Sequence, residues 1–323
     1  MNRNCPNGHP RNLRNAGSAD PLDGLREKLY KIIGSANVLV DEPMLEHTSF
    51  KIGGTADFVV QPQSVEALCE VVAAVRGARI PLTIIGNGSN LLVSDKGIRG
   101  VVVKISQGLS EITVDGCTIT AQGGALLTKL ANAAQAAGLT GLEFATGIPG
   151  TVGGAIVMNA GAYDGEMKDV CVSTTYLDEF GLRRTLSGAE CEFGYRSSVF
   201  QRENWVILES SFRLERGDSS EIRKAMDEIM FKRKSKQPLE FPSAGSAFKR
   251  PVGGFASKLV DDAGLKGFRV GGAMVSEKHA GFVINAGNAT AADVRELLER
   301  VQDEVYAKFE IKLEPEVKMI GEM

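Results

Sequence analysis

Aromatic residues are scarce in this chain, 6% of 323 positions with a single tryptophan, and neither sign of charge dominates, the formal net charge being −3. Few aromatics leave little to stack unpaired bases on, and a near-neutral balance supplies no basic field for a phosphate backbone. Nucleic acid is therefore not an expected partner. No apolar run reaches the ~18 residues of a membrane span, and no apolar core marks a signal peptide near the N-terminus. No membrane partner is expected either, and the location is read as cytoplasmic. Five cysteines, at positions 5, 69, 117, 171 and 191, are odd in number and share no spacing. That argues against a disulfide framework and leaves packing roles in a reducing compartment. Cys5 with His9 makes half a metal site, and without a second pair no metal is expected. The fingerprint G-x-G-x-x-G is absent as well, which removes the Rossmann fold as the source of a nucleotide site.

What the chain does have is a pair of glycine-rich loops. Gly86-Asn-Gly-Ser-Asn90 is the first; Gly147-Ile-Pro-Gly-Thr-Val-Gly-Gly154, running on to Asn159-Ala-Gly161, is the second. Glycine lacks the Cβ that would hold a phosphate away, and it permits positive φ. Two such loops on one side of a ligand suit a dinucleotide with a pyrophosphate in its middle. The first loop is followed by Leu91-Leu-Val93, a strand-like run rather than a helical pattern.

At ~150 residues per domain the length predicts two or three domains. Residues 1–20, rich in Asn, Arg, Gly and Pro without periodicity, read as a disordered leader. A first unit, 21–84, has a helix at Leu22–Ile33, a strand at Asp57–Gln61, a helix at Val65–Arg76 capped by Ser64, and a strand at Leu82–Ile85 that delivers the first loop. A second, 85–216, has strand-like runs at Val101–Ile105, Ile112–Val114, Thr118–Ala121, Val170–Leu177 and Trp205–Leu214. Its helix at Ala125–Ala137 ends in Gly138, a suitable cap. A third, smaller α/β unit, 217–311, opens with the charged helix Ser220–Lys234, followed by an extended loop marked by Pro238 and Pro242. A short helix at Phe255–Asp262, a strand at Gly281–Asn285, and a long helix opened by Thr290 and Asp293 and running to about Phe309 complete it. A last strand, Lys312–Ile320, is a candidate to return to the first unit. The class is α+β.

Three segments of the second half combine residue types that suit chemistry. In Gly245-Ser-Ala-Phe-Lys-Arg-Pro251 a serine stands beside a basic pair, either a turn residue or a hydroxyl held among cations as proton donor or nucleophile. It is no nucleophile elbow, since G-x-S-x-G is missing. In Phe193-Gly-Tyr-Arg-Ser-Ser-Val-Phe200, Arg196 is the one charge in an uncharged stretch, a surface arginine or a bidentate carboxylate ligand. In Leu313-Glu-Pro-Glu-Val317, period two puts Glu314 and Glu316 on one face, so only unequal burial could separate their roles. The basic run Lys232-Arg-Lys-Ser-Lys236 suits a helix C-terminus and would also attract a diphosphate.

With His47-Thr-Ser-Phe-Lys-Ile-Gly-Gly54, Gln237-Pro238, Gly271-Gly-Ala273 and Lys278-His-Ala280, these segments in their order and spacing resemble the UDP-N-acetylenolpyruvoylglucosamine reductase family, flavoenzymes of bacterial peptidoglycan synthesis. The resemblance runs from about Asn37 to Gly321. It implies a flavin-binding fold of the vanillyl-alcohol-oxidase (PCMH) type, with two α/β subdomains holding non-covalent FAD and a third holding substrate. Implied cofactor contacts are Gly86, Asn87, Gly88, Ser89, Asn90, Leu91, Gly123, Gly124, Gly147, Ile148, Pro149, Gly150, Gly153, Gly154, Asn159 and Gly161. Arg196, Ser246 and Glu316, but not Glu314, match the catalytic residues; Lys249, Arg250, Lys266 and Lys318 fall on or near expected substrate contacts. The implied reaction uses NADPH as hydride donor. Hydride passes from flavin N5 to C3 of the enolpyruvyl ether of UDP-N-acetylglucosamine, and a proton from Ser246 to C2. The short stretch between Gly161 and Tyr195 resembles the form without a long tyrosine-bearing insertion. A monomer is expected. One departure is His279-Ala-Gly-Phe282, where similar sequences carry Asn in place of Gly281. Two competing readings are an oxidase of the same fold, with FAD attached through histidine, and a flavin or nucleotide-sugar binder without catalysis. Against the first stand the only three histidines, His9, His47 and His279, none within a glycine loop.

Overall fold

The structure, a computed structural model, describes residues 21–203 and 205–322. The leader read at 1–20, with Cys5 and His9, lies outside them. Three packed units follow one another along the chain, each with its own sheet.

The first comprises α1 (Pro21–Ile33), β1 (Val38–Pro43), β2 (Thr55–Val60), α2 (Val65–Gly77), β3 (Leu82–Ile85), β4 (Leu91–Val93) and β5 (Ile98–Lys104). Its sheet runs β1-β2-β5-β3, with β2, β5 and β3 parallel and β1 antiparallel to β2. Leu68, Val71, Val72 and Val75 recur at helical spacing on α2 and bury against Phe58, Val60, Val101 and Val103. Ser64 caps this helix by accepting from the Ala67 amide at 3.1 Å. The opposite face, Val59, Val102 and Ile85, is covered by Met44 and Val93. β5 therefore belongs to the first sheet, although it lies beyond the boundary at residue 84 read from the sequence.

The second unit comprises β6 (Ile112–Asp115), β7 (Thr118–Gln122), α3 (Leu127–Ala136), α4 (Val152–Met158), β8 (Cys171–Leu177), β9 (Arg183–Ser187) and β10 (Val206–Arg213), in an antiparallel sheet β9-β8-β10-β7-β6. Here the sequence reading needs correction. What looks like one long loop from Gly147 to Gly161 contains the helix α4. Thr151 caps it and Asn159, at φ 42°, ends it. Gly153 and Gly154 lower its intrinsic helix propensity, but Val152, Ala155 and Ile156 are buried in the second core and hold it. The four described cysteines are free, and Cys171 and Cys191 are buried.

The third unit comprises α5 (Ser219–Lys236), β11 (Ser243–Ser246), α6 (Ala256–Asp262), β12 (Arg269–Val270), β13 (Ala273–Val275), β14 (Phe282–Asn285) and α7 (Ala291–Phe309), with sheet order β11-β14-β13-β12. Although α5 opens this stretch, its Ile222 and Met226 pack into the second core. The expected strand over Lys312–Ile320 is shorter, β15 (Lys318–Ile320), and pairs in parallel with β4. Pro315 has no N–H to give a ladder. Instead residues 314 and 316 bond to the chain after β11, Lys249 N to Glu314 O and Glu316 N to Ala247 O.

Between the first and third units a carboxylate acts as fastener. Asp95 accepts from the amides of Ala291 and Ala292, at 2.8 and 3.0 Å, at the start of α7. These are amides no helix can satisfy internally. Asp95→Ala should lower stability by about 1 kcal/mol, read as a lower urea midpoint.

Candidate active site

The two glycine loops meet. Asn87 Nδ2 donates to the Pro149 carbonyl at 2.6 Å, and a Cβ placed on Gly86 would lie 2.2 Å from Thr151 Oγ1. Gly88 is at φ 64°, and a Cβ there would lie 2.1 Å from the His47 carbonyl oxygen. Among the described residues, the backbone N–H groups of Asn87, Gly88, Ser89 and Asn90 donate to no protein acceptor. Four consecutive free donors form the kind of backbone that binds an anion.

Most of the other glycines are required by the protein itself. A Cβ on Gly123 would meet the Ile207 carbonyl at 2.8 Å, one on Gly124 the Ser106 carbonyl at 2.1 Å, and one on Gly161 the Gly165 carbonyl at 2.7 Å. At Gly147 it would meet Met230 Sδ at 2.6 Å, and at Gly153 the Gly123 carbonyl at 3.2 Å. Gly150 differs. Its nearest neighbours, Ser89 Oγ at 3.7 Å and the side chains of Ile148 and Leu127 at 4.0 Å, would tolerate a Cβ. Packing within the protein therefore does not require glycine here. Two further features fit an anionic dinucleotide. Thr146 Oγ1 is buried without a partner. Arg233, packed on Gly147, pairs with no carboxylate among the described residues, and burial pushes its pKa below the usual value.

Asn159 has another employment. It is fully buried; its Nδ2 donates to Glu166 and to the Gly194 carbonyl, and its Oδ1 accepts from the Lys168 amide. With every polar side-chain atom engaged by protein, it holds the loop that carries Arg196. Gly161 likewise serves that loop, its carbonyl accepting from Arg196 Nη2 at 3.2 Å.

Arg196 and Glu316 lie 120 positions apart, and the fold joins them at 2.6 Å, Nε to Oε1. Their side chains are 22% and 13% exposed, whereas Glu314 is 70% exposed and pairs with Lys249. Burial thus separates the two glutamates. Arg196 sits at φ 53°, an uncommon conformation for a side chain this large, and Gln201 Nε2 fixes its carbonyl at 2.7 Å. Ser246 ends β11 after a bulge with Gly245 at φ 79°. Its hydroxyl is exposed and bonds to no described residue, and the next residue, Ala247, accepts the Glu316 amide. Lys318 Nζ donates to Gln201 Oε1, and the Arg250 amide donates to the Tyr195 hydroxyl. Lys266 is instead paired with Asp261, at 2.7 Å. Gln201 carried no sequence signal, and Arg233 showed only as part of a basic run.

With this geometry in view, comparison with known proteins decides the family. The description UDP-N-acetylenolpyruvoylglucosamine reductase, C-terminal domain, matches residues 237–320, and FAD binding domain matches residues 56–187. The chain is 53% identical over 298 residues to the UDP-N-acetylenolpyruvoylglucosamine reductase of Caldanaerobacter subterraneus, covering 92% of this chain and 98% of that one. The chain belongs to the UDP-N-acetylenolpyruvoylglucosamine reductase family. A second such reductase, from Alkaliphilus oremlandii, is 49% identical over 91% of this chain and 97% of its own. The crystal structure of the reductase from Thermus caldophilus superposes with a TM-score of 0.75 at 35% identity, covering 87% of this chain and 97% of that one. Membership in the reductase family makes the chain an FAD-dependent oxidoreductase of peptidoglycan synthesis with NADPH as hydride donor, on an α+β flavin-binding fold of the vanillyl-alcohol-oxidase type.

At Gly281, where the resemblance implied Asn, a side chain has little room. A Cβ there would meet His279 at 2.9 Å and Ser257 at 3.0 Å, while the Gly281 carbonyl accepts from the Ala247 amide beside Ser246. Burial pushes the pKa of His279 below its ordinary value. The unfolded chain then binds the extra proton more readily, so stability is lost as pH falls below about 6.5. His279→Gln should flatten that acid limb of a thermal-melting profile. A second expectation concerns the loops. Gly150→Val should melt near the parent yet bind FAD at least ~10-fold more weakly, measured by quenching of flavin fluorescence.

Proposed function

We propose that Arg196, Glu316 and Ser246 carry the reduction of the enolpyruvyl ether of UDP-N-acetylglucosamine to UDP-N-acetylmuramate. FAD would lie against Asn87 to Asn90 and Ile148 to Gly150. In this reading the first two units hold FAD and the third, from about residue 217 to 311, holds the substrate. The observation that carries it is Glu316, bonded through its carboxylate to Arg196 and through its amide to the residue after Ser246.

Bound there, FAD would supply the chemistry of hydride transfer, from NADPH to C3 of the enolpyruvyl group. The chain's residues manage the charge and the proton that follow. Negative charge spreads onto the substrate carboxylate, and a preorganised cation stabilises it without reorganisation. Glu316 occupies Arg196 Nε and the Gly161 carbonyl takes Nη2, which leaves Nη1 without a described protein acceptor and free for the carboxylate. Glu316 is thus the residue that orients the guanidinium. The unbonded Ser246 hydroxyl gives its proton to C2. Serine is a poor acid at neutral pH, but a carbanionic carbon is a far stronger base, so the transfer runs downhill.

Arg250 and Lys318 supply positive charge for the substrate's phosphates and carboxylate; Lys249 would have to leave Glu314, and Lys266 Asp261, to join them. Non-covalent FAD agrees with the histidines. Both ring nitrogens of His47 are engaged, and His279 Nδ1 accepts from the Gly281 amide. Because all three catalytic side chains come from one copy, we read the active species as a monomer. The described residues include no helix long and apolar enough to cross a membrane, and we place the enzyme in the cytoplasm, beside its NADPH and UDP-sugar.

Ser246→Ala should accept electrons from NADPH at the parental rate under anaerobic conditions. Reoxidation of its flavin on adding the enolpyruvyl sugar should slow by about 10²–10⁴-fold, followed by absorbance. Turnover at the normal rate would remove Ser246 from the mechanism.

A further inference from the structure

A partly buried chain of titratable groups lies outside the Arg196 cluster. Lys104 Nζ approaches His47 Nδ1 at 3.1 Å, and His47 Nε2 approaches Glu42 Oε1 at 2.8 Å. His47 is 7% exposed. An ammonium can only donate, so Nδ1 accepts, and Nε2 carries the hydrogen given to Glu42. The imidazole is thereby neutral and fixed in orientation.

Its position links this chain to the cofactor loop. Lys104 ends β5 in register with Ile85, the last residue of β3, one strand spacing of about 4.8 Å away. Gly86 follows Ile85 directly. Lys104 therefore stands at the carboxyl end of three parallel strands, where open α/β sheets place their ligands. The peptide carrying His47 leans on the same loop. Its carbonyl fills the space a Gly88 Cβ would need, and the Ser49 amide donates to the Gly88 carbonyl at 3.2 Å.

Lys104 is half-buried, and among the described residues its one hydrogen-bond partner is the neutral imidazole. Of the charged groups acting on it, Lys51 repels it and Glu42 lies beyond the ring. Buried cations are ordinarily paired. The missing counter-charge is best supplied by the anion that the four free N–H groups of Asn87 to Asn90 await.

We propose that Lys104, oriented by the Glu42–His47 pair, is a further cofactor-binding residue whose ammonium serves the diphosphate of FAD. The inference rests on the flavin seat given above. It is tested on the full chain, stripped of flavin and titrated with FAD at low and at high salt. Lys104→Met should bind FAD about tenfold more weakly at low salt, a loss near one charge-assisted hydrogen bond. The gap to the parent should narrow at high salt, where a charge–charge contact is screened. Lys104→Arg should restore affinity to within about threefold. Parental affinity in Lys104→Met, or the same loss at both salt concentrations, overturns the proposal, the second because a packing defect does not respond to salt. Gly150→Val is run alongside. If it loses FAD while Lys104→Met does not, the seat stands and the role of Lys104 falls; if it binds FAD like the parent, the seat itself falls.

Discussion

Glu316 is the residue on which the three units converge. Its carbonyl accepts from Asn90 of the first, its carboxylate from Arg196 of the second, and its amide donates to Ala247 of the third. Each bond is worth little alone, a net ~1 kcal/mol or somewhat more where a charge is involved. Their common origin matters more than their sum. A displacement of any one unit moves the others' contacts with Glu316, so cofactor loop, guanidinium and serine strand keep one geometry. Positioning of that kind is where enzymes obtain much of their rate.

The glycines divide into two populations with different causes. At Gly86, Gly88, Gly123, Gly124 and Gly161 a side chain would strike the protein's own atoms. These residues let two sheets and two loops approach closely enough to share a ligand. Gly150 and Gly154 have room for a Cβ at an unremarkable φ, so packing within the protein does not require glycine at either. A glycine-rich motif is therefore mainly a statement about chain packing, and only in part about phosphate.

Much of the architecture could be read from residue pattern. The helix opened by Thr290 and Asp293, the strand Leu82–Ile85 and the helix after Ser64 all combine a local cap or breaker with a clean period, and such signals survive tertiary packing. The helix at Val152–Met158 was illegible because its glycines argue against it and only the second core holds it. The end of the chain misled for a related reason, since Pro315 interrupts one ladder and the segment changes partners midway. Within the site, Arg196, Ser246 and Glu316 were visible as odd residues in odd places, and their pairing was not, because it spans most of the chain. Asn159 misled in the other direction. It looked like part of a ligand loop, and its side chain is bonded to the Glu166 carboxylate, the Gly194 carbonyl and the Lys168 amide. Lys104 gave no pattern at all, and His47 showed only as the first residue of a recognisable segment; the fold brings the two together at the end of β5.

The short parallel pairing of Lys318–Ile320 with Leu91–Val93 has a temporal side. The strand that steadies the first glycine loop is made long after the loop itself. During synthesis the first two units can collapse on their own cores, but the loop at Asn90 has neither its strand partner nor Glu316 until residues 316–320 arrive. A nascent chain that has not yet reached Glu316 therefore carries a first glycine loop without its tether, however well its first two cores have packed.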